Sequence, residues 1–163
     1  MKRILATIMV VMLSLGIIGC ENSEKQEALL QYLNEDRNTL IDLESDFLES
    51  YNGVTGNNFT SDEETLTELT TNTITLARNL SKEATDLSFE ISDDEILDAH
   101  RLYMDYSSKM LNAVGMMIAA LENQDRTQVV EANELLNEAN NLALDYQRAI
   151  MDLAEKYNVE IIN

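Results

Sequence analysis

The sequence predicts an all-α fold, an antiparallel up-down-up-down four-helix bundle that follows an N-terminal signal segment. Three observations lead there. The chain has no proline and no tryptophan. Its apolar residues recur at spacings of three and four in four successive stretches, and the gaps between those stretches hold capping and turn residues. A spacing near 3.6 places such residues on one helix face, which has to be buried against other helices.

The first element stands apart from the bundle. Lys2 and Arg3 precede an apolar run from Ile4 to Ile18, broken only by Thr7, Ser14 and Gly16, with Gly19 then leading to Cys20. A charged start, a short apolar segment and a small residue before the cut are the layout of a secretory signal. Residues 4–18 at a rise of about 1.5 Å reach only ~22 Å, short of the ~30 Å of hydrocarbon that a spanning helix crosses. The expected organisation is residues 1–19 as signal peptide, 20–24 as a short tether starting at Cys20, and 25–163 as the bundle domain.

Each bundle helix has its own stripe. Between about 25 and 51 the stripe is Leu29, Leu30, Leu33, Leu40, Leu43, Phe47 and Tyr51; from 62 to 88 it is Leu66, Leu69, Thr73, Leu76, Leu80, Ala84 and Leu87. The second is the weaker, because its threonines lower helix propensity. In 97–121, Leu97, His100, Met104, Ser107, Leu111, Val114, Ile118 and Leu121 alternate steps of three and four, and a flanking row of Ile96, Tyr103, Met110 and Met117 widens the face. Residues 129–157 repeat the pattern with Leu135, Leu136, Ala139, Leu142, Ala143, Tyr146, Ile150, Leu153 and Tyr157.

Punctuation supports these bounds. Ser61 with Glu64 and Ser92 with Glu95 fit a capping box, and Asp125 suits the start of the fourth helix. The links Asn52 to Thr60, Phe89 to Ser92 and Gln124 to Arg126 are short, which favours antiparallel neighbours. In that topology the first and third links share one end, and the second link shares the other with Cys20. Glu21, Glu24, Glu90, Asp93, Asp94, Glu95 and Glu160 would then crowd the end nearest Cys20 and repel anionic headgroups.

Composition excludes one class of function. Of eleven basic residues Lys2 and Arg3 precede Cys20, and none of the thirty acidic ones does, so the chain from Cys20 onward carries 30 acidic against 9 basic side chains, a net −21. Nucleic-acid binding needs clustered Lys and Arg to displace phosphate counterions, and no such cluster occurs. The single cysteine forbids an internal disulfide, so the domain has to rest on its own core.

Ile17-Ile18-Gly19-Cys20 resembles the bacterial lipobox. The resemblance implies diacylglycerol in thioether linkage on Cys20, cleavage after Gly19, and a lipid-anchored protein on the extracytoplasmic face of a cell membrane. Two acyl chains anchor stably where one binds only marginally. An ordinary secreted protein whose signal ends near a cysteine is the alternative. The stretches "SYNGVTGNNFTSDEETL", "AHRLYMDYSSKM" and "ALENQDRTQVVEANELLNEANNLALDYQ" are similar to a group of uncharacterised helical lipoproteins of Gram-positive bacteria, which implies location and fold but no activity.

Little in the sequence points to chemistry. His100 is the only histidine; it lies on the third stripe, and a bond to a carboxylate of another helix, Asp36 or Glu44, is expected. Ser107 is two turns away from it, too far for a direct nucleophile–base pair. A di-iron bundle site would need two Glu-x-x-His pairs, and none is present. Met104, Met110, Met116 and Met117 have soft thioethers suited to copper or a hydrophobic ligand, but their spacing reads as core. No cofactor, metal or catalytic residue is expected. The reading is a non-catalytic protein-interaction module of the cell envelope, its partner another envelope or extracellular protein. Val54, Asn57, Asn58 and Phe59 in the longest link are its candidate partner-binding tip. The alternative is a small-ligand or metal binder around His100.

Overall fold

The computed structural model describes residues 20–161. Residues 1–19, expected to be a signal peptide and including Ile17, Ile18 and Gly19 of the lipobox-like motif, lie outside the described residues. Within them the fold is all-helical, with no strand. Helix α1 (Cys20–Gln31) runs through a π turn (Tyr32–Asp36) towards α2 (Asn38–Val54), and a 3-10 turn (Gly56–Asn58) leads to α3 (Asp62–Glu68). A second π turn (Leu69–Thr73) continues into α4 (Ile74–Leu87), followed by α5 (Asp94–Asn123) and α6 (Arg126–Lys156). The residues read as a tether, 20–24, are thus the first turns of α1.

Each π turn interrupts what the stripes alone suggest is one continuous helix. The Thr67, Thr70 and Thr71 hydroxyls donate to the carbonyls of Glu63, Leu66 and Thr67 at 2.8, 2.7 and 2.7 Å. Such back-bonding competes with the helical ladder and bends it. The buried Thr73 hydroxyl meets Ser50 Oγ at 2.6 Å, and Ser50 donates to Glu68 at 2.7 Å. In the first π turn the Arg37 amide reaches back five residues to Tyr32 O at 3.3 Å. Arg37 itself leaves helical geometry, with φ −88° and ψ 3°.

Packing joins α2 to α4, α4 to α5 and α5 to α6, while α1 meets α6. The stripes of the first two predicted helices point inward as expected, with Leu29, Phe47, Leu69 and Leu80 fully buried. On α5 the buried face is turned slightly from the expected one. Ile96, Tyr103, Met110 and Met117 are buried together with Ala99, Tyr106, Ala113 and Ala120, whereas Leu97, Leu111 and Ile118 are only half-buried. Alanine is the physical reason: Ala113 and Ala120 on α5, and Ala132 and Ala139 on α6, are seven apart and almost wholly enclosed. Small side chains let helix axes approach closely, so the seam is centred on residues a hydrophobicity count scores weakly.

The caps hold with one exchange. Ser61 Oγ accepts from Glu64 N at 3.2 Å, and Asp125 Oδ1 accepts from Thr127 N at 2.9 Å and Gln128 N at 3.3 Å. At α5 the cap is Asp93, not Ser92: Asp93 Oδ1 takes the amides of Glu95 at 2.9 Å and Ile96 at 3.0 Å. A carboxylate outcompetes a hydroxyl at the positive end of a helix dipole, and Glu95 is released for other partners. Between α5 and α6, Gln124 adopts φ 54°. Its amide and that of Asp125 bond to the carbonyls of Leu121 and Ala120 at 3.3 and 2.9 Å. That pairing closes α5 in a Schellman turn and makes the link only two residues long.

Candidate functional site

The most developed polar arrangement lies in the core, around His100. Helix α5 presents the imidazole with no solvent exposure, the π turn supplies Tyr32, and α6 supplies Tyr146. His100 Nε2 lies 2.7 Å from the Ala84 carbonyl, Nδ1 lies 3.0 Å from Tyr32 Oη, and Tyr32 Oη lies 3.0 Å from Tyr146 Oη. Arg37 Nη1 approaches Tyr146 Oη at 3.4 Å and Arg37 Nε donates to Leu33 O at 3.2 Å.

One direction of donation satisfies all of these. A carbonyl only accepts, so the proton of the neutral ring is on Nε2 and Nδ1 accepts from Tyr32. Tyr32 then accepts from Tyr146, which accepts from Arg37. Burial lowers the His100 pKa from its ordinary 6.5, with the Ala84 carbonyl partly opposing, and burial raises the Tyr32 pKa well above 10. Protonation would reverse the chain. Tyr32 would turn to donate towards Tyr146, whose hydroxyl already receives Arg37, and the Tyr146 proton would lose the acceptor it has here.

The expected carboxylate partner of His100 is therefore replaced by a phenol and a carbonyl. Asp36 accepts from Gln31 instead, at 3.3 Å. Glu44 takes two tyrosines, Tyr103 at 3.0 Å and Tyr106 at 2.7 Å. A carboxylate beside a buried imidazole would favour the cation that the low-dielectric core disfavours; a phenol holds the neutral ring. Tyr103 stacks on His100 with centroids 6.2 Å apart and meets Tyr146 edge-on at 5.2 Å. Of the four methionines of α5, Met110 and Met117 are buried and Met104 and Met116 half-buried against the same core. Among the described residues no group of three or more His, Cys, Asp and Glu side chains is placed to hold a metal.

This chemistry predicts a pH dependence. A histidine whose folded pKa is depressed favours folding fully above its unfolded value, and that contribution is lost as pH falls below 6.5 towards the folded value. Denaturation midpoints measured from pH 8 to 5 are expected to fall below about 6.5 in the native chain, and the His100→Gln variant is expected to lose that slope.

A second cluster lies where the starts of α1 and α5 meet the end of α6. Glu95 Oε1 accepts from Lys25 Nζ and Tyr157 Oη, both at 2.7 Å, and Oε2 pairs with Lys156. Lys25 also lies 3.5 Å from Asp93. Bonds from Lys156, then Lys25 and Tyr157, hold the Glu95 pKa down to about 2. Gln26 donates to the Asn158 carbonyl at 3.1 Å at the same end. This end is less anionic than its sequence suggests, because two of the few lysines are committed to it.

The candidate tip lies beyond α2. Val54, the last residue of α2, is half-buried, and its carbonyl accepts from Thr65 Oγ1 at 2.9 Å. Gly56 has φ +59°, a left-handed conformation that glycine adopts without penalty. Asn57 and Asn58 are exposed, Asn58 donates to the Asn52 carbonyl at 2.8 Å, and Phe59 is 51% exposed. The link is an ordered turn with an aromatic ring turned half outward.

Tyr32, Tyr146 and Arg37 form a site that sequence reading left out. Tyr146 was visible as a stripe residue, and a tyrosine on a buried stripe has a hydroxyl that must find a partner; the identity of that partner, 114 positions away for Tyr32 and Tyr146, was not legible. No family model matches the chain, and no curated protein or solved structure matches it.

Proposed function

We propose that the chain is a lipid-anchored module on the extracytoplasmic face of a cell membrane, held through Cys20, that binds another envelope or extracellular protein without catalysis. Its helices are proposed to form an up-down-up-down four-helix bundle standing on that membrane. The bundle reading is supported by the packing order α2 to α4 to α5 to α6, with α1 returning to α6.

The observation that carries the functional reading is the gathering of one end. Helix α1 begins at Cys20, and five residues later Lys25 is bonded to Glu95 near the start of α5 while Gln26 is bonded to Asn158 beyond the end of α6. A lipid on Cys20 would therefore hold this end at the membrane. Chain direction along α1 and α2 carries the link of residues 55–61, with exposed Phe59, Asn57 and Asn58, away from it. The ligand-binding reading around His100 is less favoured, since both ring nitrogens already have partners.

Replacing residues 53–58 by glycine and serine, together with Phe59→Ser, is expected to leave helicity and membrane attachment intact. It is also expected to abolish a crosslinked partner seen with the native chain on intact cells. The same partner crosslinked at native yield would remove the tip from the account.

A further inference from the structure

Phe89 is 83% exposed, more than any other large apolar side chain among the described residues. Its backbone is held: Phe89 N bonds to Asp86 O at 3.1 Å, and the flanking Ser88 and Glu90 amides bond to Thr85 O and Leu87 O at 3.2 and 3.0 Å. Leu87 is buried and Ile91 packs partly against the core, so the turns between α4 and α5 point their other apolar groups inward and this ring outward. The link leads directly into Asp93, Asp94 and Glu95. It therefore lies at the end where Lys25 of α1 is bonded, about 7.5 Å along the helix axis from Cys20.

We propose that Phe89 is a second membrane contact, inserting into the interfacial region of the bilayer that holds Cys20 and fixing which corner of the domain faces the lipid. The proposal rests on the lipid-anchor reading above. The two acyl chains of one diacylglyceryl group suffice for attachment, but a single attachment point leaves the domain free to tilt and turn about it. An aromatic ring at the same end removes that freedom, because apolar rings leave water at the membrane interface. The local charge permits the approach. Asp93 is engaged as a helix cap, and Glu95 is paired with Lys25 and Lys156. Glu90 and Asp94 remain exposed, so the contact suits a zwitterionic surface better than an anionic one.

The chain contains no tryptophan, so Phe89→Trp and Phe59→Trp each create a single reporter at an exposed position. The lipidated full chain carrying either change is reconstituted into phosphatidylcholine vesicles with brominated acyl chains. Emission from position 89 is expected to shift to the blue and to lose most of its intensity to the bromines, while emission from position 59 keeps both. Vesicle-bound protein in which position 89 is as unquenched as position 59 would overturn the contact. A blue-shifted but unquenched position 89 would also overturn it, and would mean that protein, such as a second copy, covers the ring. Failure of the lipidated chain to float with the vesicles would remove the anchor reading and this inference with it.

Discussion

Cys20→Ala is expected to abolish stable membrane retention of the processed chain. No other thiol exists in the chain, and no helix of the described residues is long and apolar enough to cross a membrane. Thioether lipidation has no alternative acceptor. Each buried methylene of an acyl chain contributes about 0.8 kcal/mol to attachment, so a chain without the proposed diacylglyceryl group would lose nearly all of it. The variant is expected either to keep its signal segment, seen as a larger chain, or to be released into the medium. Fractionation of cells with immunodetection reads both. A variant that is cleaved efficiently yet remains in the membrane fraction would show that Cys20 is not the attachment point.

Tyr32→Phe is expected to lower stability by roughly 2–6 kcal/mol, although it removes a single oxygen. The size follows from the chain of donation. His100 Nδ1 loses its donor and Tyr146 loses its acceptor, and each buried polar group left unpaired costs roughly 1–3 kcal/mol. Domains of this kind are stable by only about 5–15 kcal/mol. The variant is therefore expected to unfold at clearly lower denaturant concentration. An unchanged midpoint with unchanged slope would mean that the hydroxyl has no energetic role. His100→Gln in the same background should add less than it does alone, because the two residues belong to one network.

What the sequence made legible depends on the range of the interaction. Periodicity is local, so the stripes of Leu29 to Tyr51 and Leu66 to Leu87 were readable, as were the caps at Ser61 and Asp125. The α5 seam was read slightly out of rotation, because Ala113 and Ala120 count little towards hydrophobicity while deciding where two helices fit. Periodicity does not mark the π turns: the second depends on threonine hydroxyls that bond to carbonyls a turn earlier, and the first on the Arg37 amide reaching back to Tyr32 O. At α5 two adjacent residues, Ser92 and Asp93, offered caps, and charge decided between them. Pairings such as Lys25 with Glu95 and Tyr32 with His100, separated by 70 and 68 positions, arise only once the helices are side by side. Nothing in one helix's own sequence encodes them.

Membrane attachment is proposed to rest on the chemistry of one atom, Cys20 Sγ. Intact-mass spectrometry of the native protein, extracted from membranes in detergent, tests it most directly, with tandem fragmentation of the N-terminal peptide. The account predicts a mature chain that begins at Cys20 and carries a thioether-linked diacylglyceryl mass on that residue. A chain that begins at Cys20 with an unmodified thiol, or one cleaved at another position, would contradict it.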